Sequence, residues 1–448
     1  MQMQTESLAG QTAQWLERLW STVADRGRAF ANVPAASLPP LDRVRQLAAE
    51  LLSGRGEASG AALARELAAA LKMLTQADRL DFCHYLATGF MADEAALRLA
   101  AEAWLAEPSP TRAEALSAAA EPPRQELLRR MNQARGGTAA LVGLRREVLA
   151  VLKDRPALAP LDHDLRHLFA SWFNRGFLEP RRIDWNTSAA VLEKLIAYEA
   201  VHEIQGWDDL RRRLAPDRRC FAFFHPALPG EPLIFVEVAL VSGLAAAVQP
   251  LLALDTDEAA QMTRATQADT AIFFSISNCQ EGLRGISFGN FLIKQVVEEL
   301  KAELPRIARF STLSPVPGFR RWLDRRLEQP DPPLDPAVLA RPEGWEALEA
   351  PLTRLCAQYL TATEPGRGPA DPVARFHLGD GARLERVNWR GNVSARGLKE
   401  SHGIMVNYLY DPDTIEENHE AFATGGAVAR SAAVDALLRP PAKRRRLV

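Results

Sequence analysis

Apolar residues recur every three or four positions through the first part of the chain. The stretches "AALARELAAALKML" and "ELLRRMNQA" carry them with charges in between, the pattern of helices that bury one stripe. Proline-containing breaks, "NVPAASLPPLD", "AEPSPTR" and "RPALAPLD", divide the region into several helices. No strand-like alternation interrupts it before "HDLRHLFASWFNRGFLEP". Residues 1–177 therefore read as an all-helical, bundle-like domain.

After Pro180 the texture changes. "CFAFFHP", "EPLIFVEVALV", "TAIFFSISN" and "ARFSTLSP" are short runs of Phe, Ile and Val bounded by Pro, Gly or Asn, which predicts strands. Helical patterns, "SAAVLEKLIAYEA" and "FLIKQVVEELKAEL", lie between them. The Pro- and Asp-rich stretch from about 328 to 350 reads as an insertion or connecting loop. "FHLGDGARLERVNW" reads as strand, turn, strand, with Gly379, Asp380 and Gly381 at the turn. Residues 178–448 thus predict an α/β domain with a mixed sheet, and the chain as a whole is α+β.

Composition narrows the classes of function. At 448 residues the chain exceeds one ordinary core, and 47% hydrophobic with 25% charged residues describes a folded soluble protein. The 54 basic and 56 acidic residues nearly cancel, so no nucleic-acid partner is expected. Cys83, Cys220, Cys279 and Cys356 stand far apart with no CxxC pair, which argues against a zinc site or disulfide framework and fits a reducing compartment. No metal is expected. No apolar run reaches the roughly 18 residues of a spanning helix. The polar N-terminus lacks a leader pattern and the basic end "PPAKRRRLV" reads as a solvated tail, so a cytoplasmic protein is expected.

The segment from Thr270 to Phe319 is strand, glycine loop, helix, strand, a βαβ-like unit. Gly282, Gly285 and Gly289 sit just before the helix, where small residues let a ligand approach the backbone. The unpaired amides and positive dipole end of that helix suit a diphosphate, and Arg284 can add a charge-assisted contact. Equally, the glycines can simply make turns while Asn290 caps the helix. The spacing is neither a P-loop nor GxGxxG.

This loop resembles the pyrophosphate loop of GNAT-type acyltransferases. A closer resemblance runs along the C-terminal half. "RRCFAFFHPALPGEPLIFVEVAL", "FFSISNCQEGLRGISFGNFLIK", "FSTLSPVPGF", "PVARFHLGDGA" and "NYLYDP" resemble the malonyl-CoA decarboxylase family in order and spacing, from about residue 180 to 412. The resemblance implies a GNAT-like catalytic domain and malonyl-CoA as substrate. It places the coenzyme A loop on Arg284, Gly285, Ile286, Ser287, Phe288, Gly289 and Asn290, and catalytic roles on Ser314, His377 and Tyr410. It also implies self-association through the helical domain, as homodimer or homotetramer.

The chemistry bears on these residues independently. Loss of CO2 from a malonyl thioester leaves an electron pair that the thioester carbonyl accepts, so no cofactor is expected. The protein must orient the carboxylate, stabilise an enolate and protonate C2. On sequence alone His377 reads as a packed core or turn histidine, at a strand end, yet its ring can serve as the proton donor. Ser314, between an apolar strand and Pro315, suits orientation of substrate; "LSPVP" is not the GxSxG elbow and no acyl-enzyme is needed. Ser275 ends the preceding strand and is expected beside Ser314 as a further catalytic residue. Tyr410 can donate to His377 or substrate, or simply pack at a sheet edge. Two rival readings are a GNAT-type acyltransferase with an acidic acceptor channel and a non-catalytic acyl-CoA sensor.

Overall fold

The computed structural model describes residues 22, 25–28, 30–53, 56–286, 292–339, 346–364 and 368–439. The chain divides into two compact units. The first takes the residues up to Leu178 together with His225–Gly230 and Gln280–Ser287; the second takes the rest.

The first unit is helical, running from Pro40–Leu52 to Ala159–Trp172. The predicted stripes are its core: Leu63, Leu67, Leu127, Leu128, Leu141 and Val148 are all buried. Its polar exceptions are well partnered. Arg124 is 2% exposed, bonds Asp164 and donates to the carbonyls of Leu86 and Ala87, satisfying the end of helix Gln76–Gly89. Arg145, equally buried, pairs with Asp162 and donates to the carbonyls of Gly282 (2.8 Å) and Arg284 (3.0 Å). The glycine loop is therefore pinned from beneath by a helix of this unit.

The second unit is built on an eight-stranded mixed sheet of order β1-β2-β3-β4-β5-β10-β6, with β9 also pairing β10. The strands are β1 (Glu179–Ile183), β2 (Arg218–Phe224), β3 (Pro232–Val241), β4 (Thr270–Asn278), β5 (Arg309–Thr312), β6 (Ser314–Pro315), β9 (Arg383–Asn388) and β10 (Met405–Tyr410). A separate short hairpin pairs β7 (Thr363–Glu364) with β8 (Gly368–Pro369). All pairings in the main sheet are antiparallel except β4 with β5, joined through helix Leu292–Glu303. The predicted α+β class and mixed sheet are what the molecule has. β3 is buried on both faces over nearly its whole length, which explains its near-continuous apolar run.

One local expectation is overturned. The expected first strand at "FHLG" is instead the end of helix Pro372–Gly379, and of "FHLGDGARLERVNW" only Arg383–Asn388 is extended. The reason is a strong start signal. Asp371 is the N-cap, accepting from the amides of Val373 and Ala374, and Pro372 occupies the first turn, where no amide is needed.

Candidate active site

The parallel ladder between β4 and β5 stops at the pair Phe273–Thr312. β4 continues to Asn278 paired with β3 on its other side, whereas the chain after β5 stays on β10, where Ser314 pairs with Val406. A wedge therefore opens at the strand ends. At its mouth lies a cavity of about 250 Å3, lined by Ile276–Asn278 of β4, Pro315 and Pro317, Val373, and the segments around His202 and Arg396. Strand ends beside a parallel pair are where ligands collect in sheets of this kind.

Ser314 and His377, far apart in sequence, meet here. Ser314 Oγ lies 3.1 Å from His377 Nε2 and donates to Thr312 Oγ1 at 2.8 Å. His377 Nδ1 lies 2.8 Å from Tyr410 Oη. Because Ser314 spends its only proton on Thr312, the ring donates from Nε2 to Ser314 and accepts the Tyr410 hydroxyl at Nδ1. The chain Tyr410–His377–Ser314 thus carries protons from β10 to Ser314, the residue before Pro315 of the cavity lining. The ring is 2% exposed and stacks on Tyr408, centroids 4.6 Å apart at 26°. Burial drives the His377 pKa down to about 3, so the imidazole is neutral, and it holds the Tyr410 phenol well above its usual range.

Asp371 fixes the distance between the two halves. Its carboxylate caps the His377 helix and also accepts from Tyr359 Oη (3.3 Å) and from the amide of Gly318 (3.4 Å), which follows "SPVP". A Cβ on Gly318 would come within 2.1 Å of Tyr359 Oη, so only glycine fits there. The prolines and glycine after Ser314 and the aspartate before His377 form one clamp.

Over residues 176–448 the sequence matches the malonyl-CoA decarboxylase C-terminal domain, and over 90–173 the N-terminal domain of the same family. The chain belongs to the malonyl-CoA decarboxylase family. It is 38% identical over 341 residues to the mitochondrial malonyl-CoA decarboxylase of Anser anser anser, a match covering 67% of this chain and 66% of the relative. The mouse counterpart is 36% identical, matched over 63% of its length. The chain thus spans somewhat less than two thirds of these curated relatives. Crystal structures of malonyl-CoA decarboxylase from Rhodopseudomonas palustris and Agrobacterium vitis are 52% and 50% identical, with TM-scores of 0.81 and 0.80. They cover 88% and 89% of this chain, and 98% and 100% of their own.

Against this malonyl-CoA decarboxylase frame the expected site residues sort themselves. Ser314, His377 and Tyr410 are brought together. Ser275 stands two residues past Phe273, level with Ser314 two residues past Thr312, but its hydroxyl bonds Glu199 (2.8 Å to each oxygen) and touches Ser277. Glu199 also accepts from Ser277 and from the amides of Val201 and His202, so it anchors the segment lining the cavity. Of the loop expected to hold coenzyme A, Arg284 and Gly285 are exposed and Ile286 is buried. Ser287, Phe288, Gly289 and Asn290 lie outside the described residues. Gly285 has φ +80°, which favours glycine, and Gly282 backs onto the helix that carries Val142, whose carbonyl oxygen a Cβ would meet at 2.0 Å. The glycines are thus accounted for in part by turning and packing. Burial pushes the Cys279 thiol up, away from nucleophilic use.

Sequence reasoning missed Thr312, Asp371, Tyr408, Glu199 and Asp380. Asp371 had a readable signal, an aspartate before a proline that opens a helix. Asp380 had none, because its distinction is an absence of partners.

Proposed function

We propose that this protein decarboxylates malonyl-CoA to acetyl-CoA and CO2 through a thioester enolate. The observation that carries the reading is the hydrogen-bonded Tyr410–His377–Ser314 chain beside the wedge cavity, in a member of this family. The acyl end enters the wedge with its carboxylate directed into the cavity, and Ser314 turns its hydroxyl from Thr312 to the substrate. Breaking the bond between C2 and the carboxyl carbon releases CO2 and leaves the pair shared between C2 and the thioester oxygen. His377 delivers its Nε2 proton to C2 while Nδ1 takes the Tyr410 proton, so the imidazole stays neutral throughout. A buried, largely apolar surround favours neutral CO2 over the carboxylate.

The segment Arg284–Asn290 is proposed to hold coenzyme A by backbone amides and the Arg284 charge. The test is direct: purified protein with malonyl-CoA and no added cofactor should yield CO2 and acetyl-CoA in equal amounts. A preparation that yields neither contradicts the reading. Acetyl transfer to an amine without CO2 release would favour an acyltransferase instead.

A further inference from the structure

The His377 helix ends in an acid that the reaction described so far leaves unused. Asp380 follows Gly379 in helical conformation (φ −80°, ψ 0°), its amide bonded to the carbonyl of Phe376. Three residues beyond His377, its side chain projects on the same side of the helix. It is 0% exposed, and neither carboxyl oxygen has a hydrogen-bond partner among the described residues. Its place is fixed from behind: helix Ile415–Gly425 packs there, with Asn418 donating to the Gly381 carbonyl and His419 bonded to that of Gly379.

Among the described residues, the titratable groups near Asp380 are few. His377 shares its helix, and Tyr410 and Tyr408 belong to β10. Lys294 on helix Leu292–Glu303 pairs with Glu416 at 2.6 Å, and Glu416 and His419 belong to helix Ile415–Gly425. Burial pushes the Asp380 pKa up to about 7 against the pull of Lys294, and burial followed by the charge Asp380 carries when ionised raises the Tyr410 pKa, which puts the two groups within electrostatic reach. A carboxyl kept for architecture collects donors, as Asp371 does. Asp380 collects none, and a buried carboxyl without donors rests as the neutral acid.

The stoichiometry of the proposed reaction calls for such an acid. A malonyl thioester carboxylate plus one proton gives the acetyl thioester plus CO2, so every turnover leaves the chain one proton short. With C2 protonated by His377 and His377 refilled by Tyr410, the deficit sits on the tyrosinate. A tyrosinate is a far stronger base than a carboxylate, so transfer from a carboxylic acid to it runs downhill. We propose that Asp380 is the proton reservoir of this site, re-protonating Tyr410 through one water after each turnover, and refilled from solvent past the Lys294–Glu416 pair. The Glu416 side chain, 70% exposed, marks the outer end of that route. Asp380 acts through Tyr410, touches no substrate, and is a positioning residue for the proton; the inference rests on the decarboxylase reading.

The experiment compares first and later turnovers in Asp380→Asn, which keeps the shape and removes the acid. With enzyme in excess, CO2 release in the first turnover should stay within about twofold of wild type, while steady-state kcat falls about tenfold or more. Wild-type kcat should also decline as pH rises above about 7, where the reservoir empties, and the variant should lose that decline. Equal rates in both regimes, or equal slowing of both, overturn the proposal, the latter because it marks a merely structural residue. Should the variant fail to fold, the wild-type profile decides: kcat flat from about pH 6 to 9 overturns it, and a fall confined to steady state supports it. A wild type that releases no CO2 overturns the decarboxylase reading first and this one with it.

Discussion

The two ends of one short helix carry the same residue type at the same burial and do opposite things. Asp371 and Asp380 are both 0% exposed. Asp371 accepts from three backbone amides and a tyrosine hydroxyl, and through them it holds the Ser314 segment to the His377 helix. Asp380 accepts from nothing among the described residues. At the N-terminus of a helix the unpaired amides and the dipole welcome a carboxylate; at the C-terminus the unpaired groups are carbonyls, and the dipole opposes it. Burial alone therefore does not say what a charged residue is for. The count of donors does, separating an aspartate that builds the site from one that can only hold a proton.

The comparison can be broken at either end. The largest effect on stability is expected from Asp371→Ala, which removes a cap and orphans buried donors. It should lower unfolding free energy by about 3 kcal/mol, read as a denaturant midpoint, and turnover should fall with it as Ser314 and His377 separate. A midpoint unchanged within error would mean that the clamp is not there. Asp380→Asn should do the reverse. With its pKa raised to about 7, Asp380 contributes stability that is complete below the unfolded carboxyl range and lost as pH rises through 7. The Asn variant should then be more stable than wild type by about 1–3 kcal/mol at pH 8, with no gain at pH 4. A loss at pH 8 would show a partner that Asn cannot replace.

A smaller, shared effect concerns the acid limb. Burial holds His377 at about 3 and both His202 and His402 at about 4. These groups contribute stability above the usual histidine range, lost as pH falls toward 4 and 3. Asp380 and Glu237, the latter raised to about 8, work in the opposite sense from pH 4.5 upward. Thermal midpoints should therefore change little between pH 5 and 6 and drop steeply below about 4.5. In Asp380→Asn the decline should begin nearer pH 6. A profile identical to wild type would mean that Asp380 carries no buried proton.

Much of this was readable beforehand. β4 runs over the "TAIFFSISN" segment, the helix after the glycine loop covers Leu292–Glu303, and the stripes of the first unit are its core. Prolines stopping a strand at Ser314 were legible because proline's missing donor is a local fact. The His377 helix looks like a strand in sequence because "RFHLGD" is short and apolar, a length at which strand and helix look alike, and only the start signal in "DP" tells them apart. Glu199, which takes up the Ser275 hydroxyl, could not be seen from the strand at all. That contact links a loop to a strand 76 residues away, and no local periodicity encodes it.

The central claim is that His377, neutral and fed by Tyr410, hands a proton to C2 of the enolate. Its most direct test is malonyl-CoA turnover by wild type and His377→Gln, with CO2 and acetyl-CoA both measured and folding checked by thermal midpoint. The account predicts equal amounts of the two products from wild type. It predicts a rate about 100-fold lower or worse for a folded His377→Gln. Wild-type turnover in that variant would contradict it.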